Sequence, residues 1–217
     1  MSEIEYFYSA HSAFAYLGSQ RFMQIARGAG RTIVHKPYFL RSGIEGVGSP
    51  PSSARPPNHR AYYFGREIER WSEYLNAPVV AELPTHHRND MTSANCLLIA
   101  AGATGPLVDA LAHAMLEAHW RDDADLANPD TLRALVSGVG LEADALFELA
   151  GGAEVIAKYA ANTEEAIARS VFGSPTYFLD GDMFYGQDRL EMIERALNRP
   201  FAGTWPREWS ARQVAPE

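Results

Sequence analysis

The sequence contains one cysteine, and this scarcity excludes most sulfur chemistry. Cys96 has no partner for an internal disulfide, and one sulfur can form neither a C-x-x-C redox centre nor a multi-cysteine metal site. Because its neighbours are mostly apolar, Cys96 is predicted to be a small buried hydrophobic residue in a helix. Adjacent His86 and His87 lack nearby cysteines or spaced carboxylates, so no metal site is expected.

Positive charge and long apolar runs are also scarce. The chain has 19 Lys and Arg against 27 Asp and Glu, a net charge of −8, which argues against nucleic acid or an anionic membrane as the main partner. No apolar run reaches the roughly 18 residues that a membrane span needs. No basic segment precedes an apolar run near Met1. These features predict a soluble, cytoplasmic protein.

What the sequence does contain is a regular order of strands and helices. With 217 residues, 47% of them hydrophobic, the chain can bury a full core. A strand at 4–8, a helix at 13–27 and a strand at 32–35 imply a crossover and a parallel pair. Residues 42–59, rich in Gly, Pro and Ser, are predicted to form a long loop. Helices are predicted at 62–75, 91–103, 107–120, 129–139, 142–150 and 154–169.

Residues 170–190 predict a β-hairpin followed by a helix. Thr176–Leu179 has the composition of a strand, Asp180-Gly181 is a strong hairpin turn, and 183–185 resumes the strand. Pro175 lacks an N–H, so it begins the first strand or marks a bend, and the sequence leaves open whether its peptide bond is cis. A helix is predicted at 189–197.

This order of elements predicts an α/β, thioredoxin-like fold with a large all-helical insertion. We expect residues 1–60 and 170–199 to form the thioredoxin-like domain. Residues 61–169 would form the inserted helical domain, and residues 200–217 a C-terminal tail.

Three segments resemble the 2-hydroxychromene-2-carboxylate isomerase family. Residues 6–17 read Y-F-Y-S-A-H-S-A-F-A-Y-L and resemble its opening F-Y-F-D-F-x-S-P-x-x-Y-L, although Ser9 and Ala13 replace the usual Asp and Pro. Residues 172–190 read F-G-S-P-T-Y-F-L-D-G-D-M-F-Y-G-Q-D-R-L and resemble its closing hairpin, while R-W-x-x-Y-L at 70–75 fits its middle. The family is similar to kappa-class glutathione transferases, in the DsbA-like branch of thioredoxin folds.

The resemblance implies a glutathione-dependent isomerase of aromatic-compound degradation. Glutathione would be the cofactor, and its thiolate would add to 2-hydroxychromene-2-carboxylate. The adduct would open, rotate and eliminate glutathione, giving trans-o-hydroxybenzylidenepyruvate. The expected partners are therefore glutathione and a small aromatic carboxylate, and the family implies a homodimer.

Ser12 is the candidate catalytic residue. It stands where a redox thioredoxin fold carries the first cysteine of C-x-x-C, at the start of the first helix. A hydroxyl cannot exchange disulfides, but with the helix dipole it can stabilise a bound thiolate and lower the pKa of its thiol. The nucleophile then arrives with the ligand. The alternative is that Ser12 only caps the helix.

The closing hairpin supplies further candidates for binding glutathione. Ser174 and Pro175 would pair with the glutathione backbone as an added strand if their peptide bond is cis. Gln187 and Asp188 match the γ-glutamyl-binding pair of the family. The alternatives are a strand-initiating proline and a simple helix cap.

Weaker candidates come from the first loop and from the Pro-rich segment. His59 and Arg60 stand near the basic residue that the family places on the glycine carboxylate of glutathione. His11 is a candidate general acid or substrate-carboxylate partner, with a surface position as the alternative. Phe14 and Tyr62 are candidates for lining an apolar substrate pocket, although such rings more often pack in the core.

Two other functions remain open at this point. A kappa-like glutathione transferase would share the cofactor site but leave glutathione attached to an electrophile. A non-catalytic DsbA-like module would bind a peptide or thiol through the Pro175 edge and turn nothing over. A thiol–disulfide oxidoreductase is not expected unless Cys96 lies at the site.

Overall fold

The computed structural model describes residues 3–50, 52–203 and 205–206. The strands are β1 (Glu3–Tyr8), β2 (Thr32–Pro37), β3 (Thr176–Leu179) and β4 (Asp182–Tyr185). The α-helices are α1 (Ala13–Gly28), α2 (Leu40–Gly46), α3 (Pro57–Ala61), α4 (Glu67–Leu75), α5 (Thr92–Ala100), α6 (Pro106–Arg121), α7 (Pro129–Gly138), α8 (Ala143–Ala150), α9 (Ala153–Ala168) and α10 (Leu190–Asn198). Short 3₁₀ turns lie at Ser52–Ala54 and Gln187–Arg189, and a π-helix at Tyr62–Arg66. Within these residues, no helix is long and apolar enough to cross a membrane. Of the predicted tail, residues 204 and 207–217 lie outside the described part.

The sheet joins the two ends of the chain. Its order is β2-β1-β3-β4, with β1 parallel to β2 and antiparallel to β3, and with β3 and β4 antiparallel. The predicted parallel pair and the predicted hairpin are thus both confirmed. Asp180 and Gly181 have φ angles of 51° and 90°, as a tight two-residue hairpin turn requires.

The central strand β1 is buried on both faces. Tyr6 and Tyr8 are 0% exposed on one face, where their rings stack with centroids 4.1 Å apart. Phe7 points to the other face, against Tyr38 and Phe178. A strand with helices on both sides has a continuous apolar sequence without polar alternation. This explains why Y-F-Y forms the middle of the sheet.

The larger of two core clusters connects the sheet with several helices of the helical block. It runs from Tyr6 in β1 and Phe22 in α1 to Leu111 in α6 and Leu146 in α8. The predicted helical insertion therefore packs on the sheet through buried apolar side chains. The boundaries that the sequence suggests between the two parts stay a prediction.

The prediction of one long loop over 42–59 was wrong. The segment contains most of α2, a 3₁₀ turn and the start of α3. Gly43 lies within α2 and lets Tyr38 pack closely on this helix. A Cβ there would lie 2.6 Å from Cε2 of Tyr38, so the missing side chain makes room for the ring. Pro57 occupies the first turn of α3, where the N–H that proline lacks would have no helical partner.

Four charged side chains clamp the edge of the sheet to α9. Nη1 and Nη2 of Arg169 donate to the Glu5 carboxylate at 2.8 and 2.6 Å, and Lys36 Nζ lies 2.7 Å from Glu5 Oε1. Glu165 bonds to both cations. Burial alone would raise the pKa of Glu5, but the hydrogen bonds from Arg169 and Lys36 outweigh it and lower this pKa to about 2.

We expect Glu5→Gln to lower the free energy of unfolding at pH 7 by about 1–2 kcal/mol. The pKa of Glu5 in the folded chain lies below its ordinary value of 4.5. The stabilisation is therefore present above pH 4.5 and is lost as the pH falls toward 2. Urea denaturation between pH 3 and pH 7 measures the effect, with Glu3→Gln, at an exposed position of the same strand, as the control. Parallel pH profiles for Glu5→Gln and the wild type would contradict the prediction.

Candidate functional site

Ser12 links the start of α1 to the start of β3. Its extended backbone makes it the N-cap of α1, and its Oγ accepts a hydrogen bond from the Ala15 N–H at 3.3 Å. The same hydroxyl donates to the Ser174 carbonyl oxygen at 3.0 Å, across 162 residues of sequence. Ser12 is only 6% exposed. The structure therefore brings two of the predicted site residues into direct contact.

The residues around Pro175 are fastened on both sides. The Ser174–Pro175 peptide bond is cis, which the sequence had left open. Ser174 Oγ accepts from the Ser9 N–H at 3.2 Å, and the Pro175 carbonyl accepts from the Gly186 N–H at 2.9 Å. The beginning of β3 is thus held between the loop after β1 and the residue that precedes Gln187.

Gln187 and Asp188 are adjacent but lie in different environments. Gln187 is 5% exposed and packs on α1, where a Cβ on Gly18 would lie 2.6 Å from Gln187 Cβ. Asp188 is exposed, and its Oδ2 lies 3.0 Å from Nη1 of Arg189. Of the two, Asp188 is the one that carries a charge and is exposed to solvent, beside the start of α10.

The Pro-rich segment places its candidates on the outside. His59 and Arg60 are both exposed on α3, and His59 Nε2 lies 3.4 Å from Nη1 of Arg55. Tyr62 is 53% exposed, and its hydroxyl lies 3.5 Å from a guanidinium nitrogen of Arg70. Among the described residues, none of these three side chains forms a hydrogen bond with Ser12 or Ser174.

The aromatic residue that faces the site is Tyr63, which the sequence analysis missed. Its ring centroid lies 5.1 Å from that of Phe14, two residues after Ser12. The π-helical turn at Tyr62–Arg66 adds a residue to the helical register. Tyr63 lies five residues before the buried Ile68, the spacing of a π-helix, whereas α-helical spacing would select Phe64. The sequence analysis named Tyr62 as the candidate.

Tyr185 closes the other side of the site. Its ring packs on Gly173, where a Cβ would lie 2.3 Å from Tyr185 Cε2. Burial raises the pKa of Tyr185 above its ordinary value, and the neighbouring Tyr63 adds to the rise. Tyr185 and Tyr63 thus link Gly173, which precedes Ser174, with Phe14 in the first turn of α1.

Three histidines meet beside Ser12, and no local signal in the sequence indicated this. His87 Nδ1 lies 3.0 Å from His119 Nε2, and His119 Nδ1 lies 3.0 Å from the Ala124 carbonyl oxygen. A carbonyl only accepts, so Nδ1 of His119 carries the hydrogen, and its Nε2 accepts from His87. The centroid of the His11 ring lies 5.0 Å from that of His87.

These imidazoles are held in the neutral form. Burial, reinforced by His87 and His119, lowers the pKa of His11 to about 3. Burial and the neighbouring His119 and Arg88 lower the pKa of His87 to about 4, and burial also lowers the pKa of His119. His11 therefore faces the site without the positive charge that a general acid or a substrate-carboxylate partner would need. Its Nδ1 lies 3.0 Å from Ser9 Oγ.

Two other features lie apart from the Ser12–Ser174 contact. A cleft of about 390 Å³ lies between α1, the end of α4 and α6, with Tyr16 and His113 among its lining residues. Neither Ser12 nor Ser174 lines this cleft, which is therefore separate from the candidate site. Cys96 is 4% exposed in α5, as predicted, and burial raises the pKa of its thiol.

Comparison with known proteins assigns the fold to a family. The sequence profile of the DSBA-like thioredoxin domain matches residues 3–198. The chain belongs to this family. The predicted thioredoxin-like α/β fold with a helical insertion is therefore confirmed.

Within the DSBA-like family, the chain is similar to 2-hydroxychromene-2-carboxylate isomerases. It is 27% identical over 197 residues to that isomerase from Pseudomonas putida, covering 90% of this chain and 94% of the relative. A solved 2-hydroxychromene-2-carboxylate isomerase superposes with a TM-score of 0.78 at 26% identity, covering 90% and 94% of the two chains. The predicted resemblance is confirmed. The disulfide reductase DsbM from Pseudomonas aeruginosa, solved with GSH, shares the fold at 19% identity with a TM-score of 0.61, covering 91% of this chain and 93% of its own.

In this DSBA-like domain we expect His11 and His87 to stay neutral between pH 5 and pH 8. Imidazole resonances followed by NMR should titrate with a pKa of about 3 for His11 and about 4 for His87, and single His→Gln variants assign the signals. Since both lie below the ordinary value of 6.5, the unfolded chain binds more protons, and stability should fall as the pH drops below 6.5. Titration of either ring between pH 6 and pH 7 would contradict the buried arrangement.

Proposed function

We propose that the protein is a glutathione-dependent isomerase that interconverts 2-hydroxychromene-2-carboxylate, or a close relative, and trans-o-hydroxybenzylidenepyruvate. The observation that carries the proposal is the Ser12 hydroxyl, buried at the N-terminus of α1 and bonded to Ser174. Similarity over 90% of the chain to proteins that carry the isomerase name supports the reaction class. DsbM is solved with GSH, which supports only that this fold can accommodate glutathione.

The start of α1 suits an anion. Its first turn contains no acidic side chain, so no negative charge opposes the positive end of the helix dipole. Ser12 adds one hydroxyl proton at the same end, and its oxygen stays fixed by the Ala15 N–H. These groups fit a thiolate, and bound glutathione would supply that thiolate as the nucleophile.

Ser12 must exchange one hydrogen bond to perform this role. Its hydroxyl now donates its hydrogen bond to the Ser174 carbonyl oxygen, and a hydroxyl donates only one hydrogen. Rotation of the hydroxyl about the Cβ–Oγ bond would turn the proton from that carbonyl toward a sulfur in front of α1, while Oγ keeps its bond from the Ala15 N–H. It would also free the Ser174 carbonyl to accept from the peptide backbone of the ligand. Both groups therefore change partners together.

The remaining candidates would hold the two ends of the ligand. Gln187 lies against α1 and Asp188 is exposed beside it, where a carboxylate can pair with the ammonium of a γ-glutamyl group. His59 and Arg60, exposed on α3, would reach the glycine carboxylate. A disulfide exchange reaction lacks its sulfur here, because Cys96 is buried in α5.

Calorimetric titration tests whether the sulfur of the ligand sits against Ser12. We expect reduced glutathione to bind, and S-methylglutathione to bind more weakly because it cannot form a thiolate. Asp188→Ala should raise the dissociation constant of both ligands, with Asp182→Ala in the same hairpin as the control. Undetectable binding of both ligands to the wild type would overturn the proposed function.

We expect Ser12→Ala to lower kcat by about a hundredfold, in the range seen when one hydrogen-bond donor to a developing anion is removed. The dissociation constant of glutathione should change far less, because its other contacts remain. The loss of the cap should cost about 1 kcal/mol of stability, which a melting temperature checks. Ser19→Ala, which removes a buried hydroxyl from the same helix, is the matched control.

The products separate isomerase from transferase. An isomerase leaves the concentration of free glutathione unchanged at the end of the reaction, whereas a kappa-like transferase consumes it in proportion to product. Unchanged turnover in Ser12→Ala would remove Ser12 from the mechanism. Consumption of glutathione would replace the isomerase by the transferase.

A further inference from the structure

Arg55 lies at the front of the site in an unusual setting for an arginine. It is half-buried, and its guanidinium carbon lies 5.3 Å from the ring centroid of Tyr63 and 5.8 Å from that of Phe64. Within the described residues, no carboxylate oxygen forms an ion pair with it under a 4.0 Å limit. Its one recorded polar neighbour is His59 Nε2, at 3.4 Å.

The ring beneath Arg55 packs on the first turn of the helix that Ser12 caps. Tyr63 contacts Phe14, two residues after Ser12, and is an electrostatic neighbour of Tyr185. Burial raises the pKa of Tyr185, and the charge of Arg55 partly offsets this rise. The guanidinium is therefore close enough to act on a hydroxyl that packs beside Gly173 and Ser174.

No other cation competes for this position among the groups described around Ser12. His11, His87 and His119 are neutral because burial lowers their pKa values. Arg60 is exposed on α3, and among the described residues it does not stack on Tyr63 or Phe14. A ligand that binds beside Phe14 and Tyr63 would thus meet the positive charge of Arg55.

We propose that Arg55 binds the carboxylate of the aromatic substrate and so holds the substrate ring beside Tyr63 and Phe14, near Ser12. The inference rests on the proposed function for the identity of the substrate, an aromatic carboxylate. It makes Arg55 a specificity-determining residue that touches substrate and does not touch glutathione.

The chemistry of the guanidinium explains why an arginine is suited to this position. Its planar fork donates two parallel hydrogen bonds to a carboxylate, and stacking on Tyr63 orients the fork before the substrate arrives. A lysine would keep the charge but lose both the second bond and the stacking. Replacing the substrate carboxylate by a carboxamide would remove the charge of the ligand while preserving its shape.

Binding of a stable aromatic carboxylate tests the proposal without turnover. Chromone-2-carboxylate and chromone-2-carboxamide serve as probes, titrated by calorimetry into the wild type, Arg55→Gln and Arg55→Lys, and glutathione is titrated into the same proteins. Arg66→Gln is the matched control, since it removes a guanidinium from the next helical turn that pairs only with Glu69 on the surface.

In Arg55→Gln, we expect carboxylate binding to weaken by about 10- to 100-fold, the range for a lost charge-assisted hydrogen bond, and carboxamide and glutathione binding to change by less than about twofold. Arg55→Lys should lie between wild type and Arg55→Gln. Arg66→Gln should bind all three ligands as the wild type does.

Four other results of the binding experiment would overturn the assignment of Arg55. Equal weakening of the carboxylate and the carboxamide would mean that Arg55 only packs on Tyr63. Weakened glutathione binding would assign Arg55 to glutathione, and unchanged binding of every ligand, or no carboxylate binding to the wild type, would remove it from the site. A wild type that binds the carboxylate through Arg55 but shows no glutathione-dependent turnover would overturn the proposed isomerase and leave this inference standing.

Discussion

The hydrogen bond from the Ser12 hydroxyl to the Ser174 carbonyl oxygen is the contact on which the candidate site depends. It ties the N-terminus of α1 to the beginning of β3, across 162 residues, and it exists because β1 pairs with both β2 and β3. The hairpin then returns Gly186 to the Pro175 carbonyl, which sets Gln187 against α1. The central strand therefore positions every part of the candidate glutathione site that lies in the closing hairpin.

The positive end of the α1 dipole lies at Ser12, and the histidines beside it add no charge. Burial keeps His11 and His87 neutral, so they supply hydrogen bonds and shape without charge. The first turn of α1 has no acidic residue, and Arg55 stacks on Tyr63. A thiolate and a carboxylate can thus be placed by separate groups, and neither depends on a residue that titrates near neutral pH.

The chain keeps the scaffold of the DSBA-like family while lacking the sulfur of its redox members. Cys96 is buried in α5, so any sulfur chemistry at Ser12 must come from a bound thiol. A serine at this position retains the N-cap and the helix dipole, which act on an anion whatever its source. The proposed reaction thus uses the electrostatics of the fold without its usual nucleophile.

Local patterns in the sequence determined the order of the strands and of the longer helices, the hairpin at Asp180-Gly181, the cap at Ser12 and the burial of Cys96. These features depend on backbone preferences and periodicity within a few residues. Only the tertiary structure decided that Tyr63 faces Phe14, because one π-helical turn shifts the register, and that Tyr38 packs on α2 where Gly43 leaves room for its ring. It also decided that His11 is neutral, because burial lowers its pKa and because His87 and His119 approach it from distant parts of the chain. Burial and pKa values follow from neighbours in space, which no local pattern specifies.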